Sequence, residues 1–463
     1  MPDSVTITIA DKIYIPIPTG RANSELQKGL DLLMYDNPEY FQRMNMGLST
    51  FRTPKKIKTY YLDRETQSII VYRGEYKKIF PYVANHEFSI HHPKHTAINY
   101  KYNNPDFNLD ELQQEAVNVL ASKKQGIIHA VTSAGKTLII LNAICQLNTW
   151  SLIIVNRKIL MEQFKEDIEK YILDSEGNHV KPAIIGDGKF ELGNITIALE
   201  KTLYKHLNEI KEYFGVVFLD ECHLTPAKTM LEIVNNINSE YRFGFSGTLK
   251  RKDKKDFLIY STFGQVIYTI KKEQLIEMGR IVPVETHVIE SETRFDYTSV
   301  VGKVGVTRAY QLLEQTVQLD PSRNDLILKT LIGLKGKTIV LSRLVDPCFT
   351  LSTLLKKTYG IKSGIITGKN SKEALKFYHE MKHGDLQIIF ATVGCLSTGV
   401  SISDLQNIIL ISPIYNNELL IHQIRGRLMR AHDSKSSGHL YFIYDPYIFE
   451  EYKLRKFLEI MNH

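Results

Sequence analysis

The order of apolar and polar positions divides the chain into three regions. From about Lys123 onward, short apolar runs alternate with amphipathic stretches, a pattern typical of parallel strands whose two faces are covered by helices. Before about residue 107 the chain is rich in tyrosine and proline and contains alternating runs such as TITI, KIYIPI and SIIVY. The pattern predicts an α/β protein with two parallel sheets in tandem, preceded by a small α+β N-terminal domain.

Individual apolar runs predict the strands of both sheets. Three of them form the first sheet and five form the second: 126–131, 151–155 and 215–219, then 338–342, 364–367, 387–392, 407–412 and 439–444. The segment 250–335 between them is more polar, and its later part predicts a linker and a peripheral hairpin around the glycines of VVGKVGV at 300–306. We therefore assign domains to residues 1–107, 108–285 and 286–463.

Composition sets broad limits on the class of protein. A chain of 463 residues with 43% hydrophobic residues can build two or three cores. No run approaches the roughly 20 apolar residues that a membrane span needs, and the start lacks a basic flank before an apolar stretch, so we expect a cytoplasmic protein without a membrane partner. The four cysteines are not paired in spacing, which predicts neither a zinc ribbon nor a disulfide framework. The net charge of +7 is compatible with a polyanionic partner and leaves the oligomeric state open, a monomer included.

The segment 130–137, AVTSAGKT, has the spacing of a phosphate-binding loop, although Ala130 stands where the first glycine is usual. It follows a predicted strand and precedes a predicted helix, KTLIILNAICQL, so that backbone N–H groups at the helix N-terminus would face phosphates. Gly135 would allow the backbone to approach closely. The rest of the loop completes the predicted cradle: Thr132, Ser133 and Ala134.

Two side chains of this loop have distinct predicted tasks. Lys136 would reach the β and γ phosphates of ATP, and the hydroxyl of Thr137 would hold Mg²⁺. The similar segment 364–370, GIITGKN, has a shorter loop and lacks the hydroxyl, so the second sheet is not expected to bind a nucleotide of its own.

The segment 216–223, VVFLDECH, is an apolar strand that ends in two adjacent carboxylates. Alternation of side chains would direct Asp220 and Glu221 to different sides of the strand end. Asp220 would hold the Mg²⁺, and Glu221 would orient or deprotonate the attacking water. His223 either links the nucleotide to neighbouring residues or is an ordinary loop histidine.

The segment 422–430, HQIRGRLMR, is predicted to begin a helix, on which Arg427 and Arg430 would share one face. An arginine supplied by a neighbouring domain stabilises charge on the transferred phosphoryl group and is worth about 10³ to 10⁵ in rate. Such arginines alone would predict a solvated basic helix, but Gly426 between Arg425 and Arg427 favours a close approach. Hydrolysis would then require the second domain to close on the first.

Together these motifs resemble those of the superfamily-two helicases, and the resemblance extends from about Phe107 to the C-terminus. It implies two tandem RecA-like domains, with ATP and Mg²⁺ as cofactors. It also implies adenine recognition by Gln113 in the segment 107–117, although Asp110 stands where relatives often carry arginine. Further roles follow only from the resemblance: nucleotide contact by Gly399 and Gln423, coupling by His223, Ser246, Gly247 and Thr248, and DNA contact by Arg157, Lys201, Thr202 and Thr392.

The segments 37–63 and 72–79 resemble the leading domain of phage branch-migration helicases of the UvsW type and of XPB-like proteins. This resemblance implies DNA as the partner, as branched or forked duplex with single-stranded tails, in recombination, replication or repair. Lys55, Lys56 and Lys58 lie among tyrosines, which suits phosphates and exposed bases. The same lysines are equally compatible with a solvated basic face.

Three other functions remain open. The first is an RNA helicase, which the leading domain disfavours. The second is the motor part of a restriction nuclease, because Asp63 with Glu75 and Lys77 has a nuclease-like spacing that also occurs often by chance. The third is a nucleotide-gated binding scaffold that does not unwind anything.

Overall fold

A computed structural model describes most of the chain. The described residues are all but 1–5, 18–20, 85, 105–107, 132, 305, 369–370, 397–401, 403, 413–417, 433–434, 449–450 and 463. The molecule divides into two compact units, Met1–Lys271 and Lys272–His463.

Unit 1 begins with a five-stranded sheet in the order β5-β6-β2-β1-β7, antiparallel except for the β1–β7 pair. Its inner face packs on α1 and α3 around a core that includes Ile13, Leu26 and Val71. The elements of this region are β1 (Thr6–Ile9), β2 (Lys12–Pro16), α1 (Arg21–Asp31), β3 (Met34–Asp36), α2 (Pro38–Asn45), β4 (Lys56–Lys58), β5 (Tyr60–Asp63), β6 (Ser68–Tyr72), α3 (Tyr76–Ile79), β7 (Glu87–Ile90) and β8 (Lys101–Tyr102).

The rest of unit 1 is an eight-stranded sheet in the order β13-β12-β14-β10-β15-β16-β9-β17, parallel except for the β12–β13 pair. Every residue of β10 is buried, as expected for a strand covered on both faces. Its elements are α4 (Glu111–Ser122), β9 (Gln125–Ala130), α5 (Lys136–Leu147), β10 (Ser151–Val155), α6 (Lys158–Tyr171), β11 (Ile172–Leu173), β12 (Ala183–Gly186), β13 (Lys189–Phe190), β14 (Ile195–Leu199), α7 (Glu200–Lys205), α8 (Leu207–Ile210), β15 (Val216–Asp220), α9 (Lys228–Asn236), β16 (Tyr241–Ser246), α10 (Phe257–Phe263) and β17 (Val266–Ile270).

Unit 2 is a six-stranded parallel sheet in the order β18-β23-β22-β19-β21-β20. Its core includes Val340, Leu351 and Phe390. The elements are α11 (Lys272–Glu277), β18 (Val284–Glu290), α12 (Tyr297–Val304), α13 (Val306–Leu319), α14 (Pro321–Ile332), β19 (Lys337–Ser342), α15 (Asp346–Tyr359), β20 (Gly364–Ile366), α16 (Ser371–His383), β21 (Ile388–Thr392), α17 (Val393–Leu396), β22 (Leu405–Leu410), α18 (Glu418–Leu428), β23 (Gly438–Tyr444) and α19 (Glu451–Asn462).

The predicted α/β class and the predicted strands of both sheets are confirmed by these elements, within two residues at each end. The helix predicted after the phosphate loop is α5, with the predicted bounds. The predicted hairpin at 300–306 is wrong, because α12 and α13 occupy the described residues of this segment. Its glycines suggested turns, but the stretch after Val306 has helical periodicity.

The start of unit 2 differs from the domain boundary that the sequence pattern suggested after residue 285. Residues 281 and 282 pair with the chain that follows α18: Ile281 bridges Arg430, and the N–H of Val282 donates to the carbonyl of Met429 at 2.7 Å. These long-range backbone contacts, which no local pattern reveals, assign residues 272–285 to unit 2.

The N-terminal sheet is fastened to the parallel sheet of unit 1 by buried arginines. The guanidinium of Arg73 donates to the carbonyls of Ala10 at 3.3 Å, of Glu240 at 2.7 Å and of Ser239. In the opposite direction, Arg242, which is 0% exposed, donates to the carbonyl of Asp11 at 3.0 Å. Because buried charged groups are costly unless they are hydrogen-bonded, these contacts hold both sheets in one arrangement.

We predict that Gly74→Ala weakens this attachment. A Cβ at Gly74 would lie 2.3 Å from the carbonyl oxygen of Tyr260 and 2.5 Å from that of Ser261, and both are backbone atoms that cannot turn aside. We expect a loss of about 1–3 kcal/mol in the free energy of unfolding, measured by denaturant titration. Gly302→Ala is the matched control, because its Cβ would meet nothing within 4 Å. An unchanged stability of Gly74→Ala would contradict the close packing.

Candidate functional site

Three of the predicted motifs meet at one edge of the eight-stranded sheet. The phosphate loop follows β9, the acidic pair lies at the end of β15, and Ser246 ends β16. These strands are neighbours in the order β15-β16-β9, and all of them run parallel. Because the carboxyl ends of parallel strands share one edge, segments far apart in sequence come together there.

The phosphate loop has a backbone that only some residues tolerate. Gly135 has φ +77° and precedes the first residue of α5, and Ser133 has φ +74°. A Cβ at Gly135 would lie 2.2 Å from the side-chain nitrogen Nε2 of Gln113. The N–H groups at the start of α5 are therefore presented by a loop that packs closely, with Ala134 buried behind it.

Gln113 is held against this loop by its own helix. Its side chain and that of Asp110 form a capping box at the start of α4, in which Asp110 accepts from the N–H of Gln113 at 2.8 Å. The amide of Gln113 also donates to the carbonyl of Ala134 at 3.1 Å. Asp110, unusual for this position on resemblance alone, therefore acts as an N-cap that orients Gln113.

Lys136 and Glu221 form a half-buried ion pair. Their Nζ and Oε1 atoms lie 3.7 Å apart, with the side chains 15% and 18% exposed. Glu221 lies beyond the end of β15 and has φ +57°, while its N–H donates to Asp220 at 3.0 Å. Glu221 thus lies outside the strand in a left-handed conformation, so strand alternation, which the sequence pattern invokes, does not set the direction of its side chain.

His223 connects the acidic pair to the end of β16. Its Nδ1 lies 3.1 Å from Oε2 of Glu221 and 3.0 Å from the hydroxyl of Ser246. That hydroxyl donates to the carbonyl of Thr248 at 2.7 Å, so Nδ1 carries the proton that the other two oxygens accept. His223 is 4% exposed, which makes it part of a buried network that spans both motifs.

Two residues outside the predicted set support this network. The guanidinium of Arg251 donates to the carbonyl of His223, and it pairs with Asp253 at 2.6 Å. His129 lies 3.2 Å from the carbonyl of Gly247 through its Nε2. Arg251 belongs to the basic run at 250–256, which composition alone marks only as polar.

Asp220 has an unusual protonation equilibrium. Burial, followed by the negative charge of Glu221, raises the pKa of Asp220 to about 6, while the charge of Lys136 opposes the shift. A desolvated carboxylate gains from a nearby cation, and Asp220 and Thr137 offer the oxygen ligands that Mg²⁺ prefers. The described residues therefore fit the predicted ion.

The residues predicted to contact DNA in the first sheet lie farther along the same edge. Arg157 follows β10, Lys201 and Thr202 follow β14, and these strands are parallel neighbours, with Val155 beside Leu199. Arg157 and Lys201 are both exposed. The nucleotide residues and the basic residues are thus distributed along one sheet edge.

The lysines of the N-terminal region lie on and beside β4. Lys56 pairs with Asp36 on β3 at 2.8 Å, and Nζ of Lys58 lies 5.4 Å from the ring centroid of Tyr60. Lys55 and both other lysines are exposed. Part of this basic face is therefore engaged with other side chains of the chain.

In unit 2 the arginines do not share a helix. Helix α18 ends at Leu428, so the prediction that 422–430 begins a helix is wrong, and Arg430 lies in the bridge to Ile281. The helix ends before Arg430 because Arg430 pairs with Ile281 through the backbone, which requires an extended conformation. Arg427 lies in the last turn of α18 and is 9% exposed, and Gln423 is half-buried one turn earlier.

Three predicted contacts remain, Thr392 with DNA and Thr132 and Gly399 with the nucleotide. Thr392 ends β21 and is 9% exposed. Thr132 and Gly399 lie outside the described residues.

The nuclease-like spacing has a structural explanation. Glu75 is 2% exposed, accepts from the hydroxyls of Tyr35 at 2.6 Å and Thr59 at 3.1 Å, and pairs with Lys78. Asp63 accepts from Thr66 at 2.7 Å in the turn between β5 and β6. Both carboxylates are thus engaged within the N-terminal fold.

Among the described residues, no helix combines the length and apolar composition that crossing a membrane requires.

Two family models match the chain. The model described as "Type III restriction enzyme, res subunit" matches residues 106–251, and the one described as "Helicase conserved C-terminal domain" matches residues 323–432.

Three curated proteins show related sequences. The "Probable helicase D10" of Escherichia phage T5 is 26% identical over 67% of this chain and 65% of its own length. The "ATP-dependent DNA helicase uvsW" of Enterobacteria phage T4 is 27% identical over 72% of this chain and 68% of its own length. The "DNA 3'-5' translocase XPB2" of Sulfurisphaera tokodaii is 33% identical over 36% of this chain and 37% of its own length. The chain therefore spans about two thirds or less of these relatives.

A solved structure shows the same fold. The structure of S. cerevisiae Dbp5 bound to RNA and ADP BeF3 aligns with a TM-score of 0.56 at 13% identity, and the alignment covers 76% of this chain and 87% of that chain. This likeness shows the fold alone. The two family models and the relatives show that the chain carries the two domains that these models describe, and that it is similar to the helicases of superfamily 2, which have two RecA-like α/β domains.

Proposed function

We propose that this protein is an ATP-dependent DNA helicase or translocase that unwinds or branch-migrates branched DNA in recombination, replication or repair. The observation that carries the proposal is the continuous contact chain from Lys136 through Glu221 and His223 to Ser246. It joins the phosphate loop, the acidic strand end and the end of β16, and so offers a route from nucleotide chemistry to the rest of the sheet edge.

In this proposal ATP binds at the start of α5. Lys136 contacts the β and γ phosphates, Gln113 reads the adenine, and Thr137 and Asp220 hold Mg²⁺, which when bound neutralises phosphate charge. Because Lys136 pairs with Glu221 at 3.7 Å, a phosphate that takes Lys136 leaves the Glu221 carboxylate available to orient water. In this proposal the binding of ATP itself makes Glu221 available as the general base.

His223 would transmit the change at Glu221 to Ser246 at the end of β16. Its Nδ1 proton is shared between Glu221 and the hydroxyl of Ser246, so a change at Glu221 alters the hydrogen bond to Ser246. Ser246 in turn fixes Thr248 through two hydrogen bonds of 2.7 and 3.2 Å. Coupling through this segment would adjust how the neighbouring edge holds a nucleic-acid strand.

Arg427 is our candidate for the arginine that completes hydrolysis. It lies in a buried turn of α18, so its position is set by packing rather than by a mobile surface side chain. In this proposal Arg427 stabilises the charge that develops on the transferred phosphate. We propose Arg430, which lies off the helix, for an accessory role.

DNA is the favoured substrate over RNA for two reasons. The T4 and archaeal relatives are named a DNA helicase and a DNA translocase, and the N-terminal region carries a basic face. Arg157, Lys201, Thr202 and Thr392 would contact the phosphate backbone. We further propose that the protein acts in the cytoplasm, or the host cytoplasm for a phage protein, where such DNA is found.

A branched substrate is supported by an exposed apolar tip on the N-terminal region, formed by α2 and the loop to residue 52. Helix α2 contains no buried residue. Four apolar side chains on the end of α2 and the following loop are 51–79% exposed, and basic residues flank them: Met44, Met46, Leu48 and Phe51, with Arg43 and Arg52. Aromatic stacking beside positive charge suits unpaired bases near a junction.

The decisive experiment measures ATP-driven strand release from forks, four-way junctions and tailed duplexes, with DNA- and RNA-stimulated ATP hydrolysis in parallel. We expect release from branched DNA by the natural sequence and none by Glu221→Gln, which should still bind ATP. Binding without release would favour a scaffold, and stimulation by RNA alone would favour an RNA helicase. Normal turnover by Glu221→Gln would show that another group activates the water.

We predict that Arg427→Ala lowers kcat about 10³-fold or more while ATP affinity changes little, since the contact forms in the transition state. Arg427→Lys should retain the fold, but lysine cannot contact the phosphate through two N–H groups as arginine does, so we expect a low kcat for this variant too. Stopped-flow binding of a fluorescent ATP analogue and steady-state turnover separate the two effects. An equal loss in affinity and rate, or a lowered melting temperature, would identify Arg427 as a packing residue instead.

We predict that Phe51→Ala weakens binding to forked DNA by about 5- to 150-fold, the equivalent of about 1–3 kcal/mol for one stacked base. ATP hydrolysis stimulated by a single strand should stay unchanged. Phe349→Ala, which removes another exposed phenylalanine on α15, is the control. Equal fork binding by Phe51→Ala and the natural sequence would remove the tip from the substrate contacts.

A further inference from the structure

Two histidines and a glutamate lie together on the edge of the unit 2 sheet. Strands β18 and β23 pair in parallel, with Glu285 beside His439 and His287 beside Tyr441. Since side chains alternate along a strand, these four residues project from the same face. None of them belongs to the nucleotide or DNA segments described above.

The three potential ligand atoms have the spacing of a coordination shell. Nε2 of His287 lies 3.3 Å from Nδ1 of His439, and Oε2 of Glu285 lies 3.5 Å from the same Nδ1 and 4.0 Å from Nε2 of His287. A tetrahedral ion with bonds of about 2.0–2.1 Å separates its ligand atoms by about 3.3–3.4 Å. An ion can therefore bind here with only small movements of the side chains.

Both imidazole rings are positioned by neighbours. The hydroxyl of Ser437 lies 3.2 Å from Nε2 of His439, and a hydrogen bond from Nε2–H leaves the lone pair of Nδ1 directed at the other two ligands. The ring of His287 stacks on Tyr441, with centroids 4.7 Å apart and an interplanar angle of 16°. Such outer contacts orient histidines in metal sites.

The chemistry of the set selects the ion. Two neutral imidazoles and one carboxylate suit Zn²⁺ and similar divalent transition ions better than Mg²⁺ or Ca²⁺, which prefer oxygen ligands alone. The side chains of His287 and His439 are 40% and 30% exposed, so an ion can enter and water can complete the shell. The alternative to an ion is a single N–H···N hydrogen bond between Nε2 of His287 and Nδ1 of His439.

We propose that Glu285, His287 and His439 form a binding site for Zn²⁺ or a similar divalent transition ion. Because β18 is the edge strand of the sheet and β23 is its sole partner among the described strands, the ion links the two strands through side chains as well as backbone. Its binding stabilises the sheet edge of unit 2 and involves no residue of ATP hydrolysis.

The test is a Zn²⁺ titration of the full chain, purified without a histidine tag and freed of metal, against a chromophoric chelator in the absence of nucleotide and DNA. Loss of an outer partner typically lowers metal affinity about 10- to 100-fold, and loss of a ligand at least as much. We expect one Zn²⁺ per chain, weakened at least about 10-fold by Glu285→Gln and at least about 100-fold by the double variant His287→Ala/His439→Ala. Co²⁺ in place of Zn²⁺ should show the visible bands of tetrahedral coordination.

His206→Ala is the matched control. His206 also contacts a carboxylate, that of Glu209 at 2.8 Å, and its ring stacks on Phe190. The His206–Glu209 pair offers one imidazole instead of two. It should bind Zn²⁺ like the natural sequence, as should Glu221→Gln. If the double variant does not fold, the exposed Glu285→Gln decides alone. Unchanged affinity in Glu285→Gln or in the folded double variant, or weakening by His206→Ala to the same extent, would overturn the site, whatever the fate of the helicase proposal.

Discussion

The parallel pairing of β15, β16 and β9 is the constraint on which the chemistry of this protein depends. It places Asp220 beside Phe245 and Ser246 beside His129, so that segments separated by more than a hundred positions end at one edge. The strands are almost wholly buried, and sliding one of them would expose apolar side chains on both faces. The geometry of the candidate nucleotide site is thus a consequence of core packing.

This edge also concentrates backbone conformations that are costly elsewhere. Ser133 and Glu221 have left-handed φ values, and each such residue costs on the order of 1–3 kcal/mol. They persist because side chains on both sides hold them: Gln113 bonds the loop carbonyl of Ala134, and His223 bonds the carboxylate of Glu221. These contacts hold the described backbone around Ser133 and Glu221 in the arrangement that presents charge to a ligand, as catalysis by preorganised charge requires.

The N-terminal sheet adds a second surface to unit 1. Buried arginines fix it to the parallel sheet of unit 1. The ring of Tyr35 on β3 also stacks on that of Phe257 on α10, with centroids 4.3 Å apart. The exposed tip around Phe51 belongs to the same compact unit as the phosphate loop. In the proposed function, DNA bound at this tip would be held by the unit that also binds ATP.

Local sequence was enough to determine β9, β10 and β15 of the first sheet, β19 to β23 of the second, helix α5, and the identity of the phosphate and acidic segments, because each depends on apolar periodicity or on residues within a few positions. Contacts between distant residues decided the rest. The left-handed turn at Glu221, the contact of Gln113 with the carbonyl of Ala134, and the buried position of Glu75 follow from packing that no short window contains. So do the end of α18 before Arg430 and the pairing of Glu285, His287 and His439 across β18 and β23, since strand neighbours in a parallel sheet are chosen by the fold as a whole.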